Sequence, residues 1–220
     1  MSTSRDRVRQ ALSHQGSDRI PVDFGATAVT GIHCRVVEAL RKHYGLSYKP
    51  VKIVDTFQML GEVDRDLADA MGVDCIGVGG TRDIFDHDTE CMHEQVTPWG
   101  QKVLVPIQLD LTQDKEGDIF VYAGGDKNYP PSAVMPNGCF FINAIERQQP
   151  IDEDKLNPMD NLEEFNSITD EELDAYKKKV NEASATGRAV VASFGGTALG
   201  DVAFVPGMGL KEPKKSEGQA

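Results

Sequence analysis

Arg19-Ile20-Pro21-Val22-Asp23-Phe24-Gly25 is the stretch from which the fold is read. Ile20, Val22 and Phe24 alternate with Pro21 and Asp23, the period-2 pattern of a short strand. Pro21 sits near the strand start, where a missing N–H does least harm. Gly25 permits a sharp turn, and a polar loop with Thr27, Thr30 and His33 leads into a helix. Such a strand end, bearing Asp23 and a Gly/Thr loop, is where α/β folds place their chemistry. Asp23 and His33 are therefore candidates for substrate binding or proton transfer. The alternative is that Asp23 satisfies loop amides and His33 caps the following helix.

Working outward, the pattern predicts a helix over Ser4–Ser13, with Val8, Ala11 and Leu12 on one side, and another over Cys34–Tyr44, stopped by Gly45. Pro50–Asp55 is a short apolar run, a strand or an extended link. Leu60, Val63, Leu67 and Met71 give the apolar stripe of a helix over Gln58–Met71, capped by Gly72, and Val73–Val78 follows as a buried strand. Thr169 and Glu172 have the spacing of a capping box at the start of a helix running to Ala185, with Ile168 and Leu173 as its hydrophobic staple. Leu173, Tyr176, Val180 and Ala183 form that helix's buried stripe, and Arg188–Phe194 is a further buried strand. Between these lies a β-rich insertion over about residues 91–124, with runs at Val103–Val105, Ile107–Leu111 and Ile119–Tyr122. Trp99 is a candidate anchor for that flap, and Asp126–Gly138 reads as irregular.

With 220 residues the chain suits one domain. A formal charge of −12 argues against nucleic acid or an anionic membrane as partner. The sequence has no membrane-length apolar run or secretory signal, and its four cysteines have no framework spacing; this predicts reduced thiols in a cytoplasmic protein. Cys34, Cys75 and Cys139 read as small buried hydrophobes.

The segments "SDRIPVDFG", "GIHCRVVEALRKHYGL", "FQMLGEVDRDLADAMGVDCIGV", "TPWGQKVLVP" and "FGGTALGDVAFVPG" resemble the uroporphyrinogen decarboxylase superfamily, from about Arg5 to Gly209. The similarity is greatest to its branch of corrinoid-dependent methyltransferases. The resemblance implies an α/β fold, a (β/α)8 TIM barrel. Such barrels take about 250 residues, so the expectation is a partial barrel, its N-terminal part, over residues 1–210, with residues 211–220 as a disordered tail. It implies methyl transfer with a small-molecule or corrinoid-protein substrate. Zinc and the corrinoid partner would be engaged through a C-terminal half, so no cofactor is expected on this segment. One alternative is decarboxylation of a tetrapyrrole carboxylate. The other is a non-catalytic fragment or subunit that self-associates or needs a separately encoded half.

Decarboxylases of the superfamily bind substrate carboxylates through an arginine-rich loop after the first strand. Here that position reads Gly25-Ala26-Thr27-Ala28-Val29-Thr30, and the first arginine is Arg35. An acidic tetrapyrrole needs cations, so this loop disfavours it. The resemblance offers Asp83 as the counterpart of the aspartate that follows the second strand in those enzymes. Gly77–Gly80 and Gly195–Gly200 match neither a dinucleotide nor a phosphate loop and read as strand-end loops, which makes Ser193 and Thr197 candidate ligand contacts. His87, Cys91 and His93 fit no tetrahedral metal spacing and are expected on a solvated loop, with no metal bound.

Overall fold

The structure, a computed structural model, describes residues 2–147, 154, 167–193 and 207–212. Along the chain these form helix α1 (Ser4–Leu12), strand β1 (Ile32–His33), helix α2 (Cys34–His43), strands β2 (Val51–Asp55) and β3 (Leu60–Gly61), helix α3 (Arg65–Met71) and strand β4 (Cys75–Val78). Then come strands β5 (Met92–Val96), β6 (Lys102–Pro106), β7 (Ile119–Val121), β8 (Ala133–Met135) and β9 (Asn143–Ala144), helix α4 (Asp170–Ala185) and strand β10 (Ala189–Ala192). The protein is mixed α/β, and the described residues form no closed barrel. They gather in two units: 2–55, 59–81 and 169–193 in the first, and 56–58, 82–147, 154, 167–168 and 207–212 in the second. Among the described residues no helix is long and apolar enough to cross a membrane.

In the first unit β4 and β10 pair in parallel, from Ala189↔Cys75 to Ala192↔Val78. Helix α4 connects back to this pair and covers it with Tyr176, Val180 and Ala183 against Ile76, Val78 and Val190. The Thr169 capping box forms: Glu172 N donates to Thr169 Oγ1 at 3.2 Å and Thr169 N to Glu172 Oε2 at 2.9 Å. Ile168, read as one side of its hydrophobic staple, is 57% exposed.

Residues 20–24 form no regular strand, contrary to the alternation of their side chains. Ile20 is 83% exposed and Pro21 has no N–H to give, so only Val22 enters a ladder, its O accepting from Asp74 N at 2.7 Å. The direction is nevertheless fixed. Val22 lies beside Asp74, and the Ala26 backbone crosses Gly77, where any Cβ would overlap it. Advancing from 22 to 26 thus means advancing from 74 to 77, so segment 20–26, β4 and β10 run side by side in the same direction.

The helix expected over 58–71 is shorter. Met59 has φ 53°, Leu60–Gly61 pairs with β1 and β2, and Asp64 caps α3 only from Arg65. Gly61 explains the break: a Cβ there would come within 3.0 Å of Val37 Cγ2 and 3.1 Å of Cys34 Cα, so the extended backbone is pressed against α2. Gly72 ends α3 at φ 68°, as its position predicts. Arg41, buried on α2, ties the two helices by donating to Asp64 and Asp66, each at 2.8 Å, and to Ser47 O at 2.7 Å. Helix α1 buries no residue. It is held by arginines: Arg5 donates to Ser184 O at 3.0 Å, and Arg7 to Asp18 at 2.7 Å and Asp74 at 3.0 Å.

In the second unit β5 and β6 form a hairpin, from Met92↔Pro106 to Val96↔Lys102, and β7, β8 and β9 an antiparallel meander. The region read as irregular therefore contains β8. Residues 107–111 are not a strand: Ile107 is exposed while Leu109 and Leu111 are buried. The Gln95 side chain supplies the pairing a strand would have given, donating to Leu109 O at 2.6 Å and accepting from Leu111 N at 2.7 Å. Trp99 packs on Phe140 with ring centroids 5.3 Å apart. Cys34 is buried, Cys75 half-buried, and Cys139 is exposed, which corrects its reading as a buried hydrophobe. Lys211 and Glu212, expected in a disordered tail, are placed. Lys211 donates to Asp126 at 2.8 Å and lies over the Tyr129 ring. Residues 213–220 lie outside the described residues.

Candidate functional site

The parallel run positions the candidate groups of the first unit at its strand ends. Asp23 follows Val22, with Oδ1 accepting from Ala26 N and Oδ2 from Thr30 Oγ1, each at 3.2 Å. These bonds fold loop 23–30 back on itself, and Gly25 N, donating to Thr30 O at 2.8 Å, closes it. An ionised carboxylate has about four acceptor positions, so Asp23 can still accept a hydrogen bond from a ligand. It is half-buried beside Cys75. Burial first, then the Asp23 and Asp74 charges, push the Cys75 thiol above its ordinary value, which makes it a poor nucleophile.

His33 caps α2: its Nδ1 accepts from Arg35 N at 3.3 Å. Ser193 follows β10 and is exposed, with its N donating to Val78 O at 2.9 Å. Val78 O also accepts from Tyr176 Oη at 3.5 Å, and Lys179 Nζ donates to Gly80 O at 3.0 Å, so α4 holds the loop that leaves β4. Asp23 and Ser193 thus belong to the ends of one parallel run, while His33 Nδ1 caps the start of α2. Thr197 lies outside the described residues. Loop 25–30 carries hydroxyls and apolar side chains and no cation, so it suits a neutral polar ligand rather than a polycarboxylate.

The second unit holds a cluster that the sequence reading placed in solvent. His87 is 0% exposed, which overturns its assignment to a solvated loop. Its Nδ1 lies 3.2 Å from Asp83 Oδ2 and its Nε2 3.0 Å from Tyr122 O. Asp83 Oδ2 also accepts from Thr56 Oγ1 at 2.5 Å, and Oδ1 from Phe85 N and His87 N, both at 2.9 Å. Burial pushes the Asp83 carboxyl up; the bond and charge of His87 and the Thr56 bond outweigh it and leave it below the ordinary carboxylate value. Two backbone amides, the Thr56 hydroxyl and the His87 ring surround this carboxylate, so Asp83 is occupied within the unit and is not placed to stand in for a pyrrole-binding aspartate. A tight turn brings Asp83 and His87 together: Asp83 N donates to His87 O at 3.0 Å, Asp86 N to Asp83 O at 3.1 Å, and Asp86 has φ 62°.

His93 and Cys91 do not join His87. The His93 Nε2 lies 3.3 Å from Leu109 O, and Cys91 is exposed beside Asp88. Among the described residues no three His, Cys, Asp or Glu side chains form a group that could hold a metal. The zinc implied by the resemblance therefore has no ligand set among them. Comparison of the chain with protein-family models, with curated proteins and with solved structures found no match.

Proposed function

We propose that this chain is the N-terminal part of a (β/α)8 barrel of the uroporphyrinogen decarboxylase kind, of the corrinoid-linked methyltransferase type. The observation that carries this is the first unit's parallel run. Segment 20–26, β4 and β10 lie side by side in that order and share one direction, and α4, which precedes β10 in the chain, covers the β4–β10 pair. Parallel neighbours with a helix packed on their face are the unit from which such a barrel is built. Loop 23–30 and Ser193 then fall at the C-terminal ends of strands, the face on which barrel enzymes bind their substrates. In this role Asp23 and Ser193 orient polar groups of a small molecule or of a corrinoid protein's cofactor, and the zinc-bearing and methyl-transferring half is supplied from outside the first unit.

Methyl transfer is favoured over tetrapyrrole decarboxylation because loop 25–30 has no arginine and Asp83 is occupied within the second unit. The test is co-production of the chain with the polypeptide encoded immediately downstream of it. The mixture is assayed for loss of methylcob(III)alamin absorbance in the presence of a thiol. Demethylation that needs both parts, and that falls tenfold or more in Asp23→Asn, supports the proposal. A downstream region that encodes no His-x-Cys half, or a mixture that converts uroporphyrinogen instead, overturns it.

A further inference from the structure

We infer that Asn137–Gly138 is a latent self-modification site: the folded second unit holds back its cyclisation to a succinimide, and the product unfastens the end of the β7–β8 ladder. An asparagine followed by glycine can cyclise because no side chain shields the glycine nitrogen. Here Cys139 N donates to Pro136 O at 2.9 Å, with Asn137 and Gly138 as the central pair of the turn. Gly138 has φ 78°, and Asn137 is not among the described residues with positive φ, the pattern of a type II turn. In that turn ψ at the second residue is about +120°, which directs the Gly138 nitrogen away from the side-chain carbon it would attack. The side chain is held as well. Asn137 Nδ2 donates to Glu116 O at 3.0 Å and Asn137 N to Asp118 Oδ1 at 2.8 Å. A backbone carbonyl only accepts, so it is the amide nitrogen that faces Glu116. Gly117 makes room for it: a Cβ there would lie 2.5 Å from Asn137 Nδ2 and 2.6 Å from its Cγ. Asp114 Oδ1 fixes this loop by accepting from Glu116 N and Asp118 N, each at 2.9 Å. Asn137 thus clips the residues that lead into β7 to those that leave β8, just beyond the Ile119↔Met135 pair.

When the turn opens, a bond forms between Gly138 N and Asn137 Cγ, and the Cγ–Nδ2 bond breaks. The side-chain nitrogen leaves as ammonia, taking the Gly138 amide proton. Both residues are exposed, so water reaches the ring and opens it at either carbonyl. A carboxylate results, with the chain running through its α- or its β-carbonyl carbon. A carboxylate has no hydrogen to give, so Glu116 O loses its donor and faces an oxygen lone pair, with the Asp118 carboxylate close by. Ammonia is lost to solvent, and chains without the clip accumulate with time.

Peptide mapping by mass spectrometry tests this, following conversion of residue 137 to aspartate and isoaspartate in the full chain at mildly alkaline pH, folded and in urea. Conversion should be at least about tenfold slower in the folded chain, which reacts only through local opening. Asp118→Ala removes the acceptor of Asn137 N and should speed conversion in the folded chain. Asn137→Asp carries one product directly, and the protection of its residue-137 amide against hydrogen exchange should fall. Equal rates folded and in urea, or no conversion in urea, would overturn the inference. So would unchanged conversion in a folded Asp118→Ala, or unchanged protection in Asn137→Asp. Should Asp118→Ala fail to fold, the parent comparison and Asn137→Asp decide.

Discussion

Val22 and Asp74 are joined twice: Val22 N donates to Asp74 Oδ2 at 2.9 Å, and Asp74 N donates to Val22 O at 2.7 Å. The same carboxylate, whose side chain is 0% exposed, accepts from Arg7 at 3.0 Å and from both Arg19 terminal nitrogens, at 2.6 and 2.9 Å. One buried aspartate therefore fixes the position of segment 19–22 and, through Arg7, of helix α1, which has no buried residue of its own.

Asp74→Asn should consequently lower stability by about 1–3 kcal/mol, because it removes the charge that Arg7 and the partly exposed Arg19 share in this buried site. Urea unfolding measures it, and a loss below about 0.5 kcal/mol, the scale of an exposed pair, would refute the role given to Asp74. The pH dependence has a definite sign. Burial pushes the Asp74 carboxyl up, but the Val22 amide, Ser4, Arg19 and Arg7 hold it below its ordinary value. Arg7 bonds likewise hold Asp18 at about 2. A folded value below the unfolded one stabilises above the unfolded carboxylate range and is lost as pH falls toward the folded value. Parent stability should therefore fall as pH drops from about 4 to about 2, and less steeply in Asp74→Asn.

Gly77→Ala is expected to destabilise by about 1–3 kcal/mol, the cost of overpacking. Its new methyl would sit 2.7 Å from Ala26 C, so loop 23–30 must move. Hydrogen exchange at the Asp74 amide reports on this directly, since its acceptor is Val22 O. Faster exchange at Asp74 with the β4/β10 amides unchanged is the expected pattern. Unaltered exchange at Asp74 would show that segment 20–26 is not held against β4.

Thr169→Ala should cost about 1 kcal/mol, the usual worth of an N-cap. Thr169→Ser keeps the acceptor and should restore most of it. Thermal unfolding of the two variants separates capping from any packing role of the Thr169 methyl, since serine lacks that methyl.

What the sequence disclosed was local. The Thr169–Glu172 box and the Gly45 and Gly72 stops depend on residues a turn or less away, and all three stand where the pattern places them. Leu60, Val63, Leu67 and Met71 also have helical spacing, but Gly61 is pressed against α2, a contact made across the chain that no periodicity reveals. Asp74 and His87 were opaque for a related reason. A buried charged or polar side chain is defined by its partners, and those of Asp74 lie 52 to 70 residues away, while His87 needs Tyr122, 35 residues on. For Asp23 the residue was legible and its loop-closing bonds to Ala26 and Thr30 were one of two readings. His33 resolved to a helix cap.

The edge of β10 yields the last prediction. Ala189 N and Ser193 N donate toward β4, to Asp74 O and Val78 O, so in a parallel ladder the Val190 and Ala192 N–H groups point to the other side. Among the described residues no strand pairs there. An open edge is a template for another strand, and a barrel would fill it with its next one. The chain on its own should therefore self-associate despite its charge of −12, which keeps molecules apart at long range but leaves the edge uncovered. Ala192→Pro removes an outward N–H without touching the bonds to β4, and edge positions accept proline. Light scattering with calorimetry should show association in the parent that is reduced in Ala192→Pro at an unchanged unfolding temperature. A monodisperse 24.0 kDa parent with one sharp unfolding transition would mean that the edge is already covered, and the partial-barrel proposal would fall with it.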